Sequence, residues 1–253
     1  MCRLLGIYGQ VDFWQEIVME FRRLAETGKI PPEENLEPGH QDGWGMAISN
    51  QTKTAMIPLI RQLGSASTSS CYPEVVTSMA IQPDVFLCHL RKASAGIPIT
   101  LSNAHPFFCN QWAFIHNGTV YRAESLPRAP FFRITSNGSD SEYFFHYLLT
   151  KLAEEENKKC RLEKISETIL NLDLNYTALN SMLSDGQELF AIRSYQKYED
   201  YYSLYYYKIP NGIIVCSEII ESDHLNPNHW QLLCNHSFLR IHGHPPEIEK
   251  IKI

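Results

Sequence analysis

The sequence contains no long hydrophobic run and no excess of basic residues. Because no window of about 18 residues is uninterrupted by polar side chains, a membrane-spanning helix is not expected. Acidic residues outnumber basic ones by 28 to 22, which gives a net charge of -6, and no local basic patch is evident. Since phosphate binding needs a basic face, we expect neither a nucleic-acid partner nor a membrane partner.

The sequence also lacks closely spaced cysteine pairs. Its seven cysteines are an odd number without any Cys-x-x-Cys, a pattern that favours reduced thiols over a disulfide framework or a zinc site. Cys88 and Cys216 lie in apolar runs and are predicted to be buried. The N-terminal stretch lacks the basic region, apolar core and cleavage site of a signal peptide, so a cytoplasmic location is expected.

The amino-acid composition is that of a globular protein. With 44% hydrophobic and 20% charged residues, the 253-residue chain can bury a substantial core. It contains neither an internal repeat nor a linker-like segment, so a single domain over residues 2–253 is predicted. Strand patterns precede and follow a helical region, which indicates an α+β layered fold rather than alternating βαβ units.

Hydrophobic periodicity predicts the individual elements. Continuous or alternating apolar runs predict strands at 3–9, 46–48, 54–61, 84–90, 111–116, 188–195, 201–209, 212–217 and 238–241. Helical spacing predicts helices at 12–26, in the second half of 65–80, at 143–152, and at 162–183 with a break near 171–175. The stretch 28–41, with three prolines, is predicted to be a surface loop.

A cysteine directly follows the initiator methionine and opens an apolar run that ends at Gly9. If Met1 is removed, Cys2 carries both a thiol nucleophile and a free α-amine that can act as its base. An unperturbed α-amine has a pKa of ~7.7–8.0, so part of it is neutral at working pH without a histidine. A cysteine can also occupy this position by chance, so the other polar residues must decide.

Further polar residues stand where predicted strands end or a helix begins, positions that combine exposure with rigidity. Asn117 and Gly118 can supply two N–H donors to the oxyanion that forms when a thiol attacks an amide. Arg91 and Asp140 can bind the carboxylate and the ammonium of an amino-acid substrate. Glutamine, or a γ-glutamyl compound, has that head group and a distal amide.

Each of these residues also has a purely structural interpretation. Arg91 can be solvated or ion-paired at the surface. The Asn-Gly dipeptide strongly favours a turn with positive φ. Ser139 and Glu142 match a helix capping box, which places Asp140 in the first helical turn, where its charge complements the helix dipole.

The polar residues belong to longer motifs. These are Met1-Cys2, Gln41-Asp42-Gly43-Trp44-Gly45-Met46-Ala47, His89-Leu90-Arg91-Lys92-Ala93-Ser94, Asn103-Ala104-His105-Pro106-Phe107, His116-Asn117-Gly118 and Ser139-Asp140-Ser141-Glu142. In order and approximate spacing they resemble the class II glutamine amidotransferases. The Asp-Gly-Trp-Gly segment resembles the compact stand-alone branch often called YafJ-type. The motifs cover residues 2–142, and the strand-rich remainder is compatible with the same domain.

The resemblance implies a fold and a reaction centre. The fold is α+β, of the N-terminal-nucleophile (Ntn) hydrolase type: a four-layer αββα sandwich with two antiparallel sheets. After removal of Met1, Cys2 is implied to be the nucleophile, with its own α-amine as general base. Asn117 and the Gly118 N–H are implied to form the oxyanion hole.

The resemblance also implies a substrate and its binding residues. Arg91 would hold the α-carboxylate and Asp140 the α-ammonium, while Ser94 and His105 would line or support the pocket. The implied enzyme is a glutamine amidotransferase-type amidohydrolase that cleaves glutamine or a related γ-glutamyl amide through a Cys2 thioester, giving glutamate and ammonia or an amine. No cofactor and no metal is implied. The expected partners are the small-molecule substrate and a possible separate synthase or acceptor protein.

Two positions depart from family members that pass ammonia to a fused synthase. Those members commonly have a tryptophan after the arginine and a histidine a few residues on, whereas this chain has Lys92 and Ala95. Because 253 residues leave no room for a synthase domain after the hydrolase, no fused synthase is expected. We therefore expect water or a separate partner protein to be the acceptor.

Three alternatives remain open. A non-catalytic regulatory or partner subunit would keep the γ-glutamyl pocket in order to bind a ligand. A metal-dependent hydrolase would need a ligand cluster, but the ten histidines form no HExxH motif, and His105 and His116 lack a nearby ligand triad. A papain-like thiol protease would need a different sequence around Cys2.

Overall fold

The first strand lies at the centre of the larger of two antiparallel sheets. In this computed structural model, which describes residues 2–32, 37–50, 52, 54–94 and 96–252, β1 spans Cys2–Gly9 and is buried throughout. It pairs with β4 (Val85–Arg91) on one side and β10 (Gly212–Cys216) on the other. A strand covered on both faces needs apolar residues at nearly every position, which explains its continuous hydrophobic run.

The remaining strands complete two sheets. The larger sheet also contains β2 Gly43–Ser49, β3 Met56–Leu63, β9 Tyr205–Ile209 and β11 Gln231–Leu232. The smaller sheet contains β5 Phe107–Cys109, β6 Trp112–Asn117, β7 Asn180–Ser184, β8 Leu189–Arg193, β12 Ser237–His242 and β13 Glu247–Lys252. The strand orders are β11-β9-β10-β1-β4-β2-β3 and β13-β12-β8-β7-β6-β5.

Helices cover the outer face of each sheet. They are α1 Trp14–Arg22, α2 Leu24–Thr27, α3 Cys71–Ser78, α4 Asp140–Leu152 and α5 Arg161–Leu170. One apolar cluster joins α1 and α3 to the larger sheet, a second joins α4 and α5 to the smaller sheet, and a third lies between the sheets. The layers are therefore helix, sheet, sheet and helix, and the predicted four-layer αββα sandwich is confirmed.

The helix predicted over 162–183 is wrong in its second half. Helix α5 ends at Leu170, and Asn180–Ser184 forms strand β7. Met182 packs between the sheets, whereas Leu183 packs against the helical layer. Successive residues of a strand point to opposite faces, so a strand buried on both faces has the same continuous apolar pattern as a buried helix.

Smaller differences concern breaks and edges. The helix predicted at 12–26 is divided at Arg23 into α1 and α2. Strands β5, β11 and β13 are absent from the prediction, because they are short or, in Glu247–Lys252, rich in charge. Charged and short edge strands protect a sheet from pairing with other chains, but they leave little hydrophobic signal.

All seven cysteines are free thiols, and Cys88 and Cys216 are buried as predicted. Burial raises the pKa of each of these two thiols to about 12. No helix in the described part of the chain is long and apolar enough to cross a membrane. The cytoplasmic location and the single domain over residues 2–253 stay predictions.

Candidate active site

Three strand ends meet at one end of the space between the two sheets. Cys2 is the first residue of β1, Arg91 the last of β4 and Asn117 the last of β6. Alternate residues of a strand point to the same face of the sheet. Cys2, Arg91 and Asn117 each lie two or four positions from residues whose side chains pack between the sheets: Leu4 in β1, Leu87 in β4, and Ala113 and Ile115 in β6. The three side chains therefore face the same space.

Cys2 is held by both of the other strand ends. It lies directly opposite Arg91 in the ladder between β1 and β4. Its backbone N–H donates to Asn117 Oδ1 at 2.8 Å, a contact between residues 115 positions apart. The cysteine is 6% exposed. The sheet architecture thus brings together the predicted nucleophile, the predicted carboxylate-binding residue and the predicted oxyanion-hole residue.

The surroundings of Cys2 favour its thiolate. Burial raises the pKa of the thiol, but the positive amino terminus, His89 and the backbone of Lys92 lower it, and the net result is a fall from 9.0 to about 6. His89 Nε2 lies 3.2 Å from the carbonyl oxygen of His116. A carbonyl can only accept, so Nε2 of His89 carries a proton. Thiolate at neutral pH is the form that a cysteine nucleophile uses.

Two buried donors beside Cys2, Arg91 Nη1 and Asn117 Nδ2, have no acceptor among the residues that the structure describes. The other terminal nitrogen of the guanidinium, Nη2, donates to the carbonyl oxygen of Pro98 at 3.2 Å. An unsatisfied buried donor costs about 1–3 kcal/mol, and more when charged, so such groups often mark a ligand site. This pair suits an anionic head group and a carbonyl that becomes an oxyanion.

Asp140 is the first residue of α4, in the first helical turn as predicted. Its Oδ2 accepts from the backbone N–H of Val120 at 2.8 Å. Val120 follows Gly118 by two residues, so this hydrogen bond ties the N-terminus of α4 to the segment after β6. The substrate-binding role of Asp140 stays a prediction.

The predicted capping box at this helix is wrong. Ser139 precedes the helix but makes no side-chain capping bond. The carboxylate of Glu142 accepts instead from the backbone N–H groups of Thr135 and Ser136, at 2.9 and 2.7 Å. The preceding loop supplies donors that compete for the carboxylate, and this competition is not visible in the four-residue motif.

The Asn-Gly dipeptide after β6 does not form the predicted positive-φ turn. Neither Asn117 nor Gly118 has a positive φ, and Asn117 stays in the ladder opposite Asn180 of β7. Glycine is needed for another reason, because a Cβ atom at position 118 would lie 1.8 Å from the carbonyl oxygen of Ala178. Close approach of two backbone segments therefore explains this glycine.

His116 bridges the end of β6 and helix α4. Its Nδ1 lies 2.9 Å from Ser141 Oγ and its Nε2 lies 3.2 Å from the carbonyl oxygen of Ala178. The carbonyl accepts from Nε2–H, so Nδ1 accepts from the hydroxyl, which describes a neutral ring. Burial lowers the pKa of His116 to about 4, although Asp140 opposes this shift. His116 thus acts as an uncharged structural link.

His105 and Ser94 lie in or beside the loop that follows β4. The His105 ring stacks on His89 at a centroid distance of 4.2 Å and meets Phe107 edge-on at 4.6 Å. Burial lowers the pKa of His105 well below its ordinary value. The carbonyl of Ser94 accepts from the N–H of Ile97 at 3.1 Å. The pocket roles assigned to both residues stay predictions.

The Asp-Gly-Trp-Gly segment packs against two of the other motifs. Asp42 Oδ2 accepts from the N–H of Ala93 at 2.7 Å. Gly45 allows the loop at His105 to lie against β2, since a Cβ at position 45 would lie 2.3 Å from the His105 carbonyl oxygen. The segment therefore supports both loops beside Cys2.

Residues 2–32, 37–50, 52, 54–94 and 96–252 contain no group of three or more His, Cys, Asp or Glu side chains placed to hold a metal ion. Two sequence predictions fall outside these ranges, the removal of Met1 and the departure at Ala95.

The sequence matches a family model described as class-II glutamine amidotransferases over residues 1–207. The chain belongs to the class II glutamine amidotransferase family. The matched span contains all the motifs given above, so the resemblance seen in those motifs is confirmed. It also extends beyond them, from residue 142 to the middle of β9.

Two curated relatives share sequence with this family member. An uncharacterized protein from Methanocaldococcus jannaschii is 32% identical over 205 residues, which are 78% of this chain and 52% of that protein. The gamma-glutamyl-hercynylcysteine sulfoxide hydrolase of Mycobacterium tuberculosis is 32% identical over 136 residues, 51% of this chain and 54% of that protein. The chain thus spans about half the length of the curated relatives it matches.

The fold is shared with a solved structure from the same family. A glutamine aminotransferase class-II domain protein from Silicibacter pomeroyi has a TM-score of 0.63 at 20% identity, with 100% of both chains covered. At this identity the likeness establishes the fold alone.

Lys92, the residue after Arg91, connects two loops near Cys2. Lys92 Nζ donates to the carbonyl oxygens of Glu37 and Gly39, at 2.7 and 3.3 Å. The ammonium group therefore links two loops: the one before β2, at Glu37 and Gly39, and the one that begins after β4, at Lys92.

Two side chains next to Cys2 lie outside the family motifs. Arg3 is fully buried, forms an ion pair with Glu218, and places its guanidinium 4.6 Å from the ring centroid of Tyr201. The Tyr201 hydroxyl donates to Asn117 Oδ1 at 3.3 Å. A charged residue in an apolar strand must have buried partners, so the sequence could have indicated that Arg3 lies in a buried polar site. Tyr201 lies in a tyrosine-rich segment, and nothing in the sequence sets it apart from the neighbouring tyrosines.

Proposed function

We propose that this chain hydrolyses the side-chain amide of glutamine or a related γ-glutamyl amide, giving glutamate and ammonia or an amine. One observation carries the proposal: a buried cysteine of lowered pKa is flanked by two donors, Arg91 Nη1 and Asn117 Nδ2, without acceptors in the described part of the chain. The Mycobacterium tuberculosis relative, named as a gamma-glutamyl-hercynylcysteine sulfoxide hydrolase, supports the γ-glutamyl class of substrate.

The proposed reaction begins when Met1 has been removed and Cys2 carries a free α-amine. With the thiol proton held on the amine, the thiolate attacks the amide carbon to form a tetrahedral intermediate. Asn117 Nδ2–H and the Gly118 N–H donate to the oxyanion. The C–N bond then breaks, the leaving amine takes the proton, and water hydrolyses the γ-glutamyl thioester to glutamate.

The amino-acid head of the substrate is assigned to the charged groups around the thiol. Arg91 Nη1 binds the α-carboxylate, because a guanidinium forms strong, directional bonds with a carboxylate. Asp140 binds the α-ammonium through Oδ1, while its Oδ2 remains on Val120. Ser94 and His105 line or support the pocket.

Water is the proposed acceptor. Lys92 occupies the position of the tryptophan that synthase-coupled members commonly use to close the site, and its ammonium is engaged with loop carbonyls. Transfer of ammonia to a separate synthase or acceptor protein is the alternative fate of the nitrogen, and it would appear as a faster release of glutamate when that protein is added.

The test is a screen of the processed chain, starting at Cys2, for glutamate release from glutamine and a panel of γ-glutamyl amides. We expect turnover of at least one compound, none by Cys2→Ala, and wild-type turnover by Cys234→Ala, which removes an exposed thiol. A form that retains Met1 should be inactive. Binding of γ-glutamyl compounds without turnover by processed wild type would favour a non-catalytic regulatory or partner subunit instead.

A further inference from the structure

We infer that Tyr201 is a positioning residue of the oxyanion hole, whose hydroxyl fixes the side-chain amide of Asn117 so that Nδ2 points at the reacting carbonyl. The inference rests on the proposed amide hydrolysis and extends it to a residue outside the family motifs. Tyr201 itself exchanges no proton and touches no substrate atom in this scheme. It acts through Asn117.

The orientation of the Asn117 amide follows from its partners. Oδ1 accepts from the Cys2 N–H at 2.8 Å and from the Tyr201 hydroxyl at 3.3 Å. The Cys2 nitrogen is a peptide N–H while Met1 is present and an ammonium once Met1 is removed and the thiol proton is on the amine; both can only donate, so the atom facing it must be the amide oxygen. The nitrogen therefore points the other way, where it is buried and has no acceptor among the described residues.

The hydroxyl of Tyr201 can serve only as a donor in this contact under working conditions. Burial raises the pKa of Tyr201 well above its ordinary value of 10.0, although the Arg3 charge opposes the shift. The phenol therefore stays protonated, and its proton satisfies the second lone pair of Asn117 Oδ1. Two donors from different segments restrain the amide plane more firmly than one.

Tyr201 is itself fixed relative to the nucleophile. Arg3 Nη1 donates to the carbonyl oxygens of Cys2 and Tyr201, at 3.2 and 3.4 Å, and its guanidinium lies over the Tyr201 ring. The Arg3 guanidinium also pairs with Glu218. One buried cation thus joins the backbone of the nucleophile to the backbone and ring of the residue that orients the oxyanion donor.

This arrangement matters most as the thiol attacks. The α-amine of Cys2 changes its charge as it holds the thiol proton and then passes it to the leaving amine, and the amine is one of the two donors to Asn117 Oδ1. The Tyr201 hydroxyl does not change charge, so it holds the amide while its other partner changes. Nδ2–H can then meet the developing oxyanion without a reorientation step, which is the advantage of a preorganised donor.

The test compares Tyr201→Phe with Tyr202→Phe in the processed enzyme. Tyr202 is a matched control, because it is buried in the same cluster and its hydroxyl donates to Thr177 Oγ1 at 3.0 Å. We expect Tyr201→Phe to lower kcat about 10-fold with little change in KM, less than the ~10²–10³-fold cost of deleting an oxyanion donor. Tyr202→Phe should keep kcat within about 2-fold.

A double-mutant cycle separates positioning from a general structural effect. If Tyr201 acts through Asn117, Tyr201→Phe should have no further effect on kcat in an Asn117→Ala background. The inference would be overturned if Tyr201→Phe lowered kcat equally in the wild-type and Asn117→Ala backgrounds. It would also be overturned if Tyr201→Phe and Tyr202→Phe lowered kcat equally, or if Tyr201→Phe alone failed to fold. Incorporation of 4-aminophenylalanine at position 201, which retains an N–H donor, should restore kcat and supplies a folded comparison.

Two readouts separate this inference from the proposed function. Alkylation of Cys2 by iodoacetamide needs no oxyanion hole, so its rate should be the same in wild type and Tyr201→Phe. The side-chain amide resonances of Asn117, assigned by their loss in Asn117→Ala, should move in Tyr201→Phe and stay in Tyr202→Phe. If the resonances move in Tyr201→Phe but wild type cleaves no γ-glutamyl compound, the proposed function is wrong and the contact between Tyr201 and Asn117 stands. If the resonances do not move, the inference about Tyr201 is wrong and the proposed function is unaffected.

Discussion

Cys2 and Arg91 are directly opposite each other in the antiparallel ladder between β1 and β4. Their side chains therefore leave the same face of the larger sheet, with Cβ atoms about 4.5–5.5 Å apart. A shift of either strand by one residue would turn its own side chains to the other face, so the buried pattern of both strands protects this pairing. The distance between the proposed nucleophile and the proposed carboxylate-binding cation is thus a property of the sheet.

Replacing Arg91 by lysine should weaken substrate binding more than it slows the chemical step. Lysine keeps the charge but loses the planar fork of donors. Hydrogen bonds to charged groups contribute ~1.5–3 kcal/mol, so we expect KM for a γ-glutamyl substrate to rise about 10- to 100-fold, with kcat changed much less. Initial rates over a range of substrate concentrations measure both constants. Arg61→Lys, in the edge strand β3 of the same sheet, is the control. An unchanged KM in Arg91→Lys would show that Arg91 does not bind the substrate.

The sequence allowed prediction of the reactive groups but not of the groups that orient them. Cys2, Arg91 and Asn117 carry distinctive chemistry at the ends of apolar runs, so their residue types and the strand pattern sufficed to select them. Tyr201 reaches Asn117 across 84 positions of sequence. Such contacts depend on sheet order, which periodicity does not encode.

Local motifs failed where a distant or flanking segment supplied a stronger interaction. The predicted capping box at Ser139 does not form, because the Glu142 carboxylate accepts hydrogen bonds from the N–H groups of Thr135 and Ser136 instead. The Asn-Gly turn was replaced by a close approach of Gly118 to Ala178. In both cases the residue types were informative, but the interaction they make was set by tertiary packing.

The thiol of Cys2 should be reactive at lower pH than an ordinary cysteine. Burial raises its pKa, but the amino terminus and His89 lower it, with a net value of about 6 against 9.0 for an unperturbed thiol. The rate of alkylation by iodoacetamide should therefore rise with pH around a midpoint near 6. Because His89 contributes a lowering effect, the midpoint should move upward in His89→Gln. A wild-type midpoint at pH 8 or above would contradict this description of the site.

Replacing Gly118 by alanine should damage the fold as well as the site. The new Cβ would lie 1.8 Å from the Ala178 carbonyl oxygen, so the two backbone segments must separate. We expect a loss of about 3 kcal/mol in the free energy of unfolding, at the upper end of overpacking costs. Gly138→Ala is the control, because position 138 has φ +80° and open space, and its strain should cost about 1 kcal/mol. Urea unfolding measures both, and equal losses would contradict the close approach.

His116 should make the folded state sensitive to acid. Burial lowers its pKa from 6.5 to about 4, so protonation is less favourable in the folded chain than in the unfolded chain. Its contribution is therefore fully present above pH 6.5 and is lost as the pH falls toward 4, by up to about 3 kcal/mol. In His116→Gln, which cannot take up this proton, the free energy of unfolding should fall less over the same range, although the variant starts lower at pH 7.5. Urea unfolding at pH 7.5 and 4.5 measures the difference. The control is His229→Gln, on the exposed surface, whose free energy of unfolding should change by the same amount as that of wild type.

An equal change in wild type and His116→Gln would mean that the ring does not bridge Ser141 and Ala178 as an uncharged group.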